Sequence, residues 1–332
     1  MVNDYELIIP SLSLPRTKPS PEALKSWGQT DQMYTPKLWE ITYPFYRYLG
    51  SLSDERLIDR YKGVVKNLLI FVSPERDVIP INSFLSSWYW FRKEHTTRLE
   101  LHLRELVVPD SSPSKPSIKE NIDLPYRPKH PNSGDVLYRF MASEYAKIFV
   151  EKGNVRLTPA RNFDDENHNL ARRDNELQID SYLLGKHTKI TTQDGVELPI
   201  IGDVKRSSYS PDYYLMCTSC GFHPELFNDF SSDNCVVIFD VPEFKKRIEN
   251  EASKHLLEWS YFDGPVEYFD PYEKASNNPL FMAGLCKDFS FAYQMEWRFQ
   301  WSSLKGAPTS GYINLSLGSL SDIAVLIYRS TV

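Results

Sequence analysis

The chain has 332 residues, of which 41% are hydrophobic and 14% aromatic, so wholesale disorder is excluded. The net charge is −6, and its acidic excess lies after residue 134, which argues against broad, sequence-independent binding of nucleic acid. The longest apolar runs are too short to cross a bilayer, and the N-terminus does not resemble a secretory signal, so we expect a cytoplasmic protein with no membrane association.

Residues 1–108 are predicted to form a helical N-terminal region. Ser53 is a plausible N-cap, and apolar residues follow it at spacings of three, four and seven as far as residue 69. A second helix is predicted over residues 82–106, with apolar side chains on one face and charged side chains on the other. His95 and His102 lie on the apolar stripe, where a buried or solvated helix face explains them better than a metal pair.

Six prolines lie between residues 109 and 134, among serines, lysines and aspartates. Such a segment forms neither a helix nor a central strand. We therefore predict a proline-rich linker over residues 109–134, followed by a second domain over residues 135–332.

Short strand candidates dominate the second domain, and helices are few. The predicted strands cover residues 136–140, 155–158, 213–219, 235–239, 292–301, 312–317 and 323–328. The predicted helices cover residues 143–151 and 242–257, and residues 164–181 are predicted to be a polar loop with a short helix. Strands and helices do not alternate regularly, which favours an α+β fold built on antiparallel sheets.

Two of the four cysteines, Cys217 and Cys220, have a C-x-x-C spacing, and His223 follows them. A zinc site is one interpretation, but no second C-x-x-C or H-x-x-x-H pair completes it. The residues around Cys217 are typical of a buried strand, where cysteine behaves as a small hydrophobic residue. We predict no metal site.

The most informative segment for chemistry covers residues 291–301, because apolar and polar residues alternate in it. The polar positions are Gln294, Glu296, Arg298 and Gln300, and aromatic residues and a methionine alternate with them. This pattern predicts a strand with one core face and one polar face. The polar face is either an exposed sheet surface with cross-strand pairs or a rigid base for a positioned carboxylate.

Gln294 and Glu296 resemble the Q-x-E signature of ADP-ribosyltransferases of the arginine–serine–glutamate type. That family also has an arginine on its first core strand and a Ser-Thr-Ser-like triplet on a middle strand. Here Arg139 and the triplet of residues 217–219 occur in the same chain order. The last two segments are also similar to an uncharacterised bacterial family with a Cys-Thr/Phe-Ser strand and a Tyr-x-x-Glu-Trp-Arg strand. The resemblance covers residues 135–332.

The resemblance implies a role for each matching residue. Glu296 would contact the ribose 2′-hydroxyl of NAD and stabilise an oxocarbenium-like state, and Gln294 would face the acceptor. Ser219 or Thr218 would orient Glu296, and the choice stays open because the triplet begins with a cysteine. Arg139 would hold the phosphates or the adjacent ribose of NAD, or alternatively it is a surface cation on a strand edge.

Several other residues are candidates for the same pocket. Tyr138 would stack on the nicotinamide or the adenine, although core packing is the alternative. Asn162 and Arg173 would line the pocket, although such polar segments are also typical of solvated loops. Lys287 and Asp288 precede the Q-x-E segment and are candidates for contact with the acceptor.

The resemblance implies NAD-dependent transfer of ADP-ribose to a macromolecule, as in a bacterial toxin or phage-defence effector. NAD would be a substrate, and the acceptor would be a protein or a nucleic acid. The slight basic excess of residues 1–134 and the aromatic residues at 88–91 allow RNA contact, and they equally allow an antitoxin interface or self-association. The alternatives are a non-catalytic ligand-sensing or protein-binding module on the same fold, and an NAD glycohydrolase.

Overall fold

The structure is a computed structural model, and it describes residues 6–10, 12, 20–26, 35–71, 87–109, 124–129, 133–164, 175–273, 283–306 and 309–329. The candidate residue Arg173 lies outside these ranges. No helix within them is long and apolar enough to cross a membrane.

The N-terminal part of the chain is helical, as predicted. Its helices are α1 Pro21–Ser26, α2 Pro36–Tyr46, α3 Asp54–Phe71 and α4 Ser87–Leu103. The predicted N-cap of α3 is confirmed, since the Oγ of Ser53 accepts a hydrogen bond of 3.3 Å from the backbone N–H of Arg56. The first residues predicted for the second long helix, 82–86, lie outside the described part of the chain.

The charged face expected for α4 is not exposed. Lys93 and Glu94 have exposed fractions of 0% and 1%, so this helix is enclosed by other elements. His95, which lies on the same helix, is also buried, and its Nε2 lies 3.2 Å from Oε1 of Glu40 on α2. Periodicity did not reveal this burial because the charges are paired inside the fold rather than solvated.

The second part of the chain contains most of the strands. Its helices are α5 Ser143–Lys152, α6 Glu225–Asp229 and α7 Val241–Ala252. Its strands are β1 Leu137–Met141, β2 Asn154–Pro159, β3 Gln178–Leu183, β4 Ile190–Thr191, β5 Glu197–Leu198, β6 Val204–Tyr209, β7 Tyr214–Ser219, β8 Asn234–Ile238, β9 Trp259–Pro265, β10 Glu267–Phe269, β11 Cys286–Asp288, β12 Glu296–Ser303, β13 Ile313–Ser316 and β14 Ala324–Tyr328. Short 3₁₀ helices cover Ala160–Asp164, Gly185–His187, Ala283–Leu285 and Phe289–Gln294.

Eight of these strands form one sheet, in which every pair is antiparallel. The order along its main path is β13-β2-β7-β1-β8-β14, and β12 lies between β7 and β9. Three two-stranded sheets pair β3 with β6, β4 with β5, and β10 with β11, the last pair being parallel. The prediction of an α+β fold with antiparallel sheets is confirmed, whereas its likeness to an ADP-ribosyltransferase stays a prediction.

Several strands were absent from the sequence prediction. The longest are β3, β6 and β9, whose mostly exposed or half-buried side chains do not alternate between apolar and polar. The stretch predicted as a polar loop over residues 164–181 in fact contains the start of β3. Because β3 pairs only with β6 in a small sheet, no hydrophobic pattern marks it in the sequence.

The two halves of the chain share one hydrophobic core. One continuous cluster of buried side chains includes Trp90 of α4, Phe289 of the 3₁₀ helix and Phe299 of β12. The rings of Trp90 and Phe289 are stacked, with centroids 5.7 Å apart. The predicted domain boundaries at residues 109 and 134 stay a prediction. Within the described ranges, no residue of 109–134 lies in a helix or strand.

Strand β12 is buried on both faces. Its apolar face carries Trp297, Phe299 and Trp301, which all belong to the main core cluster, as the alternation predicted. Its polar face carries Arg298 and Gln300, with exposed fractions of only 0% and 5%. The expected solvent-facing polar surface is therefore covered, and its charges need partners inside the protein.

Candidate functional site

Glu296 is the first residue of β12, and the chain changes conformation just before it. Gln294 ends the preceding 3₁₀ helix, and Met295 adopts a left-handed conformation with φ 45°. The predicted strand over residues 292–301 therefore begins four residues later than expected. As a result, Gln294 and Glu296 do not alternate along one strand, and the Q-x-E spacing does not by itself place them side by side.

The three segments predicted to meet are neighbours in the sheet. Ser219 at the end of β7 lies opposite Glu296 of β12 on one side and opposite Tyr138 of β1 on the other. Residues directly opposite each other point to the same face of a sheet. Glu296, Ser219 and Tyr138 therefore form a row across three adjacent strands.

Glu296 belongs to a group of four buried charged residues, which we call the charge cluster. Its members are Glu176, Lys287, Glu296 and Arg298, with exposed fractions of 5% or less. Oε1 of Glu296 accepts a hydrogen bond of 2.7 Å from Nε of Arg298, and Oε2 accepts one of 3.0 Å from Nζ of Lys287. Nη2 of Arg298 lies 2.6 Å from Oε2 of Glu176. With two acids and two bases, the cluster is formally neutral.

The charge cluster sets the protonation state of Glu296. Burial alone raises the pKa of its carboxyl group, but Arg298 and Lys287 outweigh that effect and hold the pKa well below its usual value. The pKa of the neighbouring Cys217 thiol is instead raised, because burial and the negative charge of Glu296 both disfavour the thiolate. Glu296 is therefore a carboxylate at neutral pH, and Cys217 is a neutral thiol.

Ser219 and Thr218 contact the backbone rather than the Glu296 carboxylate. Oγ of Ser219 lies 2.6 Å from the carbonyl oxygens of both Gln294 and Gly221, and its single hydroxyl hydrogen is shared between these two acceptors. Oγ1 of Thr218 donates to the carbonyl oxygen of Trp297 at 3.2 Å. These bonds fix the turn that delivers the chain into β12. Ser219 thus positions the backbone next to Glu296, and the role of either hydroxyl in orienting the carboxylate stays a prediction.

Arg139 and Tyr138 lie on opposite faces of β1. Tyr138 is in line with Ser219 and is fully buried, and its hydroxyl donates to the carbonyl oxygen of Tyr126 at 3.0 Å. The guanidinium of Arg139 lies above the ring of Phe149 on α5 and donates to the carbonyl oxygen of Cys217 at 2.6 Å. By alternation, Arg139 points away from the face that carries Glu296.

The remaining candidates lie farther along the chain. Asn162 is in the 3₁₀ helix Ala160–Asp164 that follows β2, and its neighbour Arg161 pairs with Asp212.

Cys220, the second cysteine of the C-x-x-C spacing, is buried, and its Sγ lies 3.1 Å from the carbonyl oxygen of Met295. In the described ranges, no group of three or more His, Cys, Asp and Glu side chains is arranged to hold a metal ion.

A cavity of about 250 Å³ opens beside the charge cluster, and we call it the tyrosine cavity. It lies between α3, β3 and the two-stranded sheet of β10 and β11. Its lining includes Arg56, Asp180, Tyr182, Tyr272, Lys287 and Asp288. Lys287 belongs to both features, because it lines the cavity and its ammonium group contacts Glu296.

Sequence reasoning missed two members of this arrangement. Glu176 comes from a stretch predicted as a polar loop, and nothing in its sequence context marks it as buried. Tyr182 lies on the unpredicted strand β3 and stacks on Tyr272, with ring centroids 4.7 Å apart. Arg298 did carry a signal, since it stands two residues after Glu296 on the same face of a predicted strand.

Comparisons with protein-family models, with curated proteins and with solved structures find no significant match to this chain.

Proposed function

We propose that this protein cleaves the nicotinamide–ribose bond of NAD and transfers ADP-ribose to a macromolecular acceptor, a protein or a nucleic acid. The observation that carries the proposal is the position of Glu296. It is an ionised, buried carboxylate at the start of a central strand, in one row with Ser219 and Tyr138. The order of these segments in the chain matches the arginine–serine–glutamate pattern.

The chemistry requires a fixed negative charge near the ribose. When the bond between C1′ and the nicotinamide nitrogen breaks, the bonding electrons leave with nicotinamide, which becomes neutral, and positive charge develops on the ribose. A preorganised carboxylate in a site with little water stabilises that charge. The acceptor's nucleophilic atom then bonds to C1′ and releases its proton to water. In this scheme Glu296 supplies the charge, and the charge cluster keeps it ionised.

Lys287 controls access to Glu296. In the structure both carboxylate oxygens of Glu296 are engaged, one by Arg298 and one by Lys287. Lys287 also lines the tyrosine cavity, so a ligand bound there competes with Glu296 for its ammonium group. Movement of Lys287 toward the ligand would free Oε2 of Glu296 for the ribose hydroxyl. The contact of Arg139 with NAD phosphates stays a separate prediction, since its guanidinium lies on the other face.

The decisive measurement is nicotinamide release from NAD by the purified full-length protein. Wild type is expected to release nicotinamide, and Glu296→Gln is expected to lose at least about 100-fold of that rate. Glu267→Gln, which changes an exposed glutamate on β10, is the matched control and should retain full activity. Glu296→Asp keeps the negative charge but shortens the side chain, so it tests whether the position of the carboxylate matters as well as its charge. Nicotinamide release that survives both changes at Glu296 would refute the mechanism.

A second function is favoured by the saturation of Glu296. Because both oxygens of the Glu296 carboxylate are engaged, at 2.7 and 3.0 Å, neither is free for a ribose hydroxyl, as in a non-catalytic module. Such a module binds its ligand without turnover, so NAD would bind and no nicotinamide would appear. Labelled NAD separates the remaining alternative: a glycohydrolase releases nicotinamide but transfers no label to a cell extract.

A further inference from the structure

The tyrosine cavity contains two charges that have no counter-ion in the described part of the chain. Two other charged residues that line the cavity are paired: Asp180 with Lys205 at 2.8 Å, and Lys287 with Glu296 at 3.0 Å. Arg56 and Asp288 form no such ion pair with any described residue. A carboxylate without a counter-ion is costly beside a cavity unless a ligand or a proton balances it.

Asp288 is the less exposed of these two charges. Its Oδ1 accepts a hydrogen bond of 2.8 Å from the backbone N–H of Ser290, and the Ser290 side chain also hydrogen-bonds the carboxyl group, so both of these partners are neutral groups. Burial raises the pKa of Asp288 to about 6, so it carries its charge at neutral pH. The neighbouring cation Arg60 does not neutralise it, because Arg60 is committed to both carboxylate oxygens of Asp270 at 2.8 and 2.7 Å.

Arg56 marks the outer side of the cavity. It is exposed, and its Nη1 donates to the hydroxyl of Tyr182 at 3.2 Å. The guanidinium also hydrogen-bonds Tyr272, and because it has five N–H donors it retains others for a ligand, whose phosphate it would fit well. Tyr182 and Tyr272 are stacked on each other with an interplanar angle of 10°, and both residues line the same cavity.

We propose that the tyrosine cavity binds a zwitterionic ligand, the nicotinamide mononucleotide half of NAD, with its cationic ring toward Asp288 and its phosphate toward Arg56. The identity of the ligand rests on the function proposed above, whereas the charge pattern stands without it. The size agrees: about 250 Å³ lies just below the ordinary range for whole-ligand pockets, so one half of a dinucleotide enters and the rest lies outside. The pyridinium ring also gains from contact with an aromatic wall.

The test compares nicotinamide mononucleotide with its reduced dihydro form by calorimetric titration. The two ligands have nearly the same shape, but the reduced ring has no positive charge. We expect the oxidised form to bind about tenfold more tightly to wild type, an effect of the size that cation–π and charge contacts give. Asp288→Asn should abolish that preference while keeping the hydrogen bond from the Ser290 N–H. Asp59→Asn, an exposed change on α3, is the control and should keep it.

Arg56→Gln tests the other end of the ligand. It should weaken the oxidised and reduced forms by the same factor, because both carry the phosphate, and the loss should shrink as salt is added. Equal binding of the two forms by wild type, a preference that survives Asp288→Asn, or no binding of either form would overturn the assignment.

The same titrations separate this inference from the proposed function. Tight, charge-selective binding without nicotinamide release from NAD would leave the cavity assignment in place and refute the cleavage reaction. Release that depends on Glu296 but is unaffected by Asp288→Asn and Arg56→Gln would refute the cavity assignment alone.

Discussion

The ammonium nitrogen of Lys287 lies 3.0 Å from Oε2 of Glu296, and the same residue lines the tyrosine cavity. A buried carboxylate and an open cavity thus share one lysine. Any ligand that draws this lysine outward changes the electrostatic environment of Glu296. This ion pair therefore lies where the charge cluster meets the tyrosine cavity.

Replacing Lys287 by methionine should destabilise the protein by about 3–5 kcal/mol, because it leaves the buried Glu296 carboxylate with Arg298 as its main partner. Urea unfolding of wild type and variant gives the change directly. Lys305→Met removes an exposed pair with Glu258 and should change the stability by no more than about 1 kcal/mol. A Lys287→Met loss no larger than the control loss would show that Lys287 adds little to Glu296.

A second buried network joins the N-terminal helices to the sheet. Arg60 of α3 makes two hydrogen bonds to Asp270, at 2.8 and 2.7 Å, and Lys93 of α4 contacts the same carboxylate. Burial raises the pKa of Asp270, but Arg60 and Lys93 outweigh it and keep the pKa below its usual value. The network holds the loop after β10 against both helices.

We expect Arg60→Met to lower the free energy of unfolding by about 3–5 kcal/mol, since Asp270 would lose its two-point partner in a buried site. Lys62→Met on the same helix is the control, because its pair with Asp59 is exposed and contributes at most about 1 kcal/mol. Thermal or urea unfolding measures both. Similar small losses for the two variants would contradict a structural role for the network.

The elements of the fold that bury apolar side chains could be predicted from the sequence. The alternation of Trp297, Phe299 and Trp301 marked the core face of β12, and the apolar runs of β7 and β8 marked strands within a residue of their observed bounds. These elements follow from hydrophobic periodicity, because each buries its apolar side chains against neighbours. The α+β class followed from their order along the chain.

The burial of the polar and charged side chains could not be predicted in the same way. The burial of Lys93, Glu176 and Arg298 depends on partners that are far away in the chain, and periodicity carries no information about them. The 3₁₀ helix before Glu296 escaped notice because its residues continue the strand-like alternation. Local pattern specified which face of β12 was polar, whereas tertiary packing decided that this face would be enclosed.

Gly153 ends α5 at a point where the segment after β13 passes very close. Its φ is 64°, and a Cβ there would lie 2.0 Å from the carbonyl oxygen of Gly318. Gly153→Ala should therefore cost more than the roughly 1–2 kcal/mol of left-handed strain alone. Gly195→Ala isolates that strain, because Gly195 has φ 82° and a Cβ there would meet no atom of the described residues within 4 Å. Urea unfolding of both variants measures the difference, and equal losses would contradict the close contact.

Asp288→Asn should stabilise the protein at neutral pH. Burial raises the pKa of Asp288 from its usual value of 3.8 to about 6, and Asp270, Arg60, Tyr272 and Ser290 are the charged, titratable and polar groups around it. Between these two pH values the folded protein holds a proton that the unfolded chain has lost, so the stability falls as the pH rises through that interval. Above pH 6 the folded protein bears the full cost of burying the ionised Asp288 carboxylate. A neutral asparagine at this position has no such cost.

The expected gain is about 1–3 kcal/mol at pH 7.5, and it should shrink toward zero as the pH falls below about 4, where Asp288 is protonated in both states. Urea unfolding of wild type and Asp288→Asn at both pH values gives the two differences. Asp59→Asn, an exposed change, should show no comparable gain at pH 7.5. If the gain from Asp288→Asn were the same at pH 4 and pH 7.5, an ionised Asp288 would not be the cause. A ligand whose cationic ring meets this carboxylate should stabilise wild type more than it stabilises the variant.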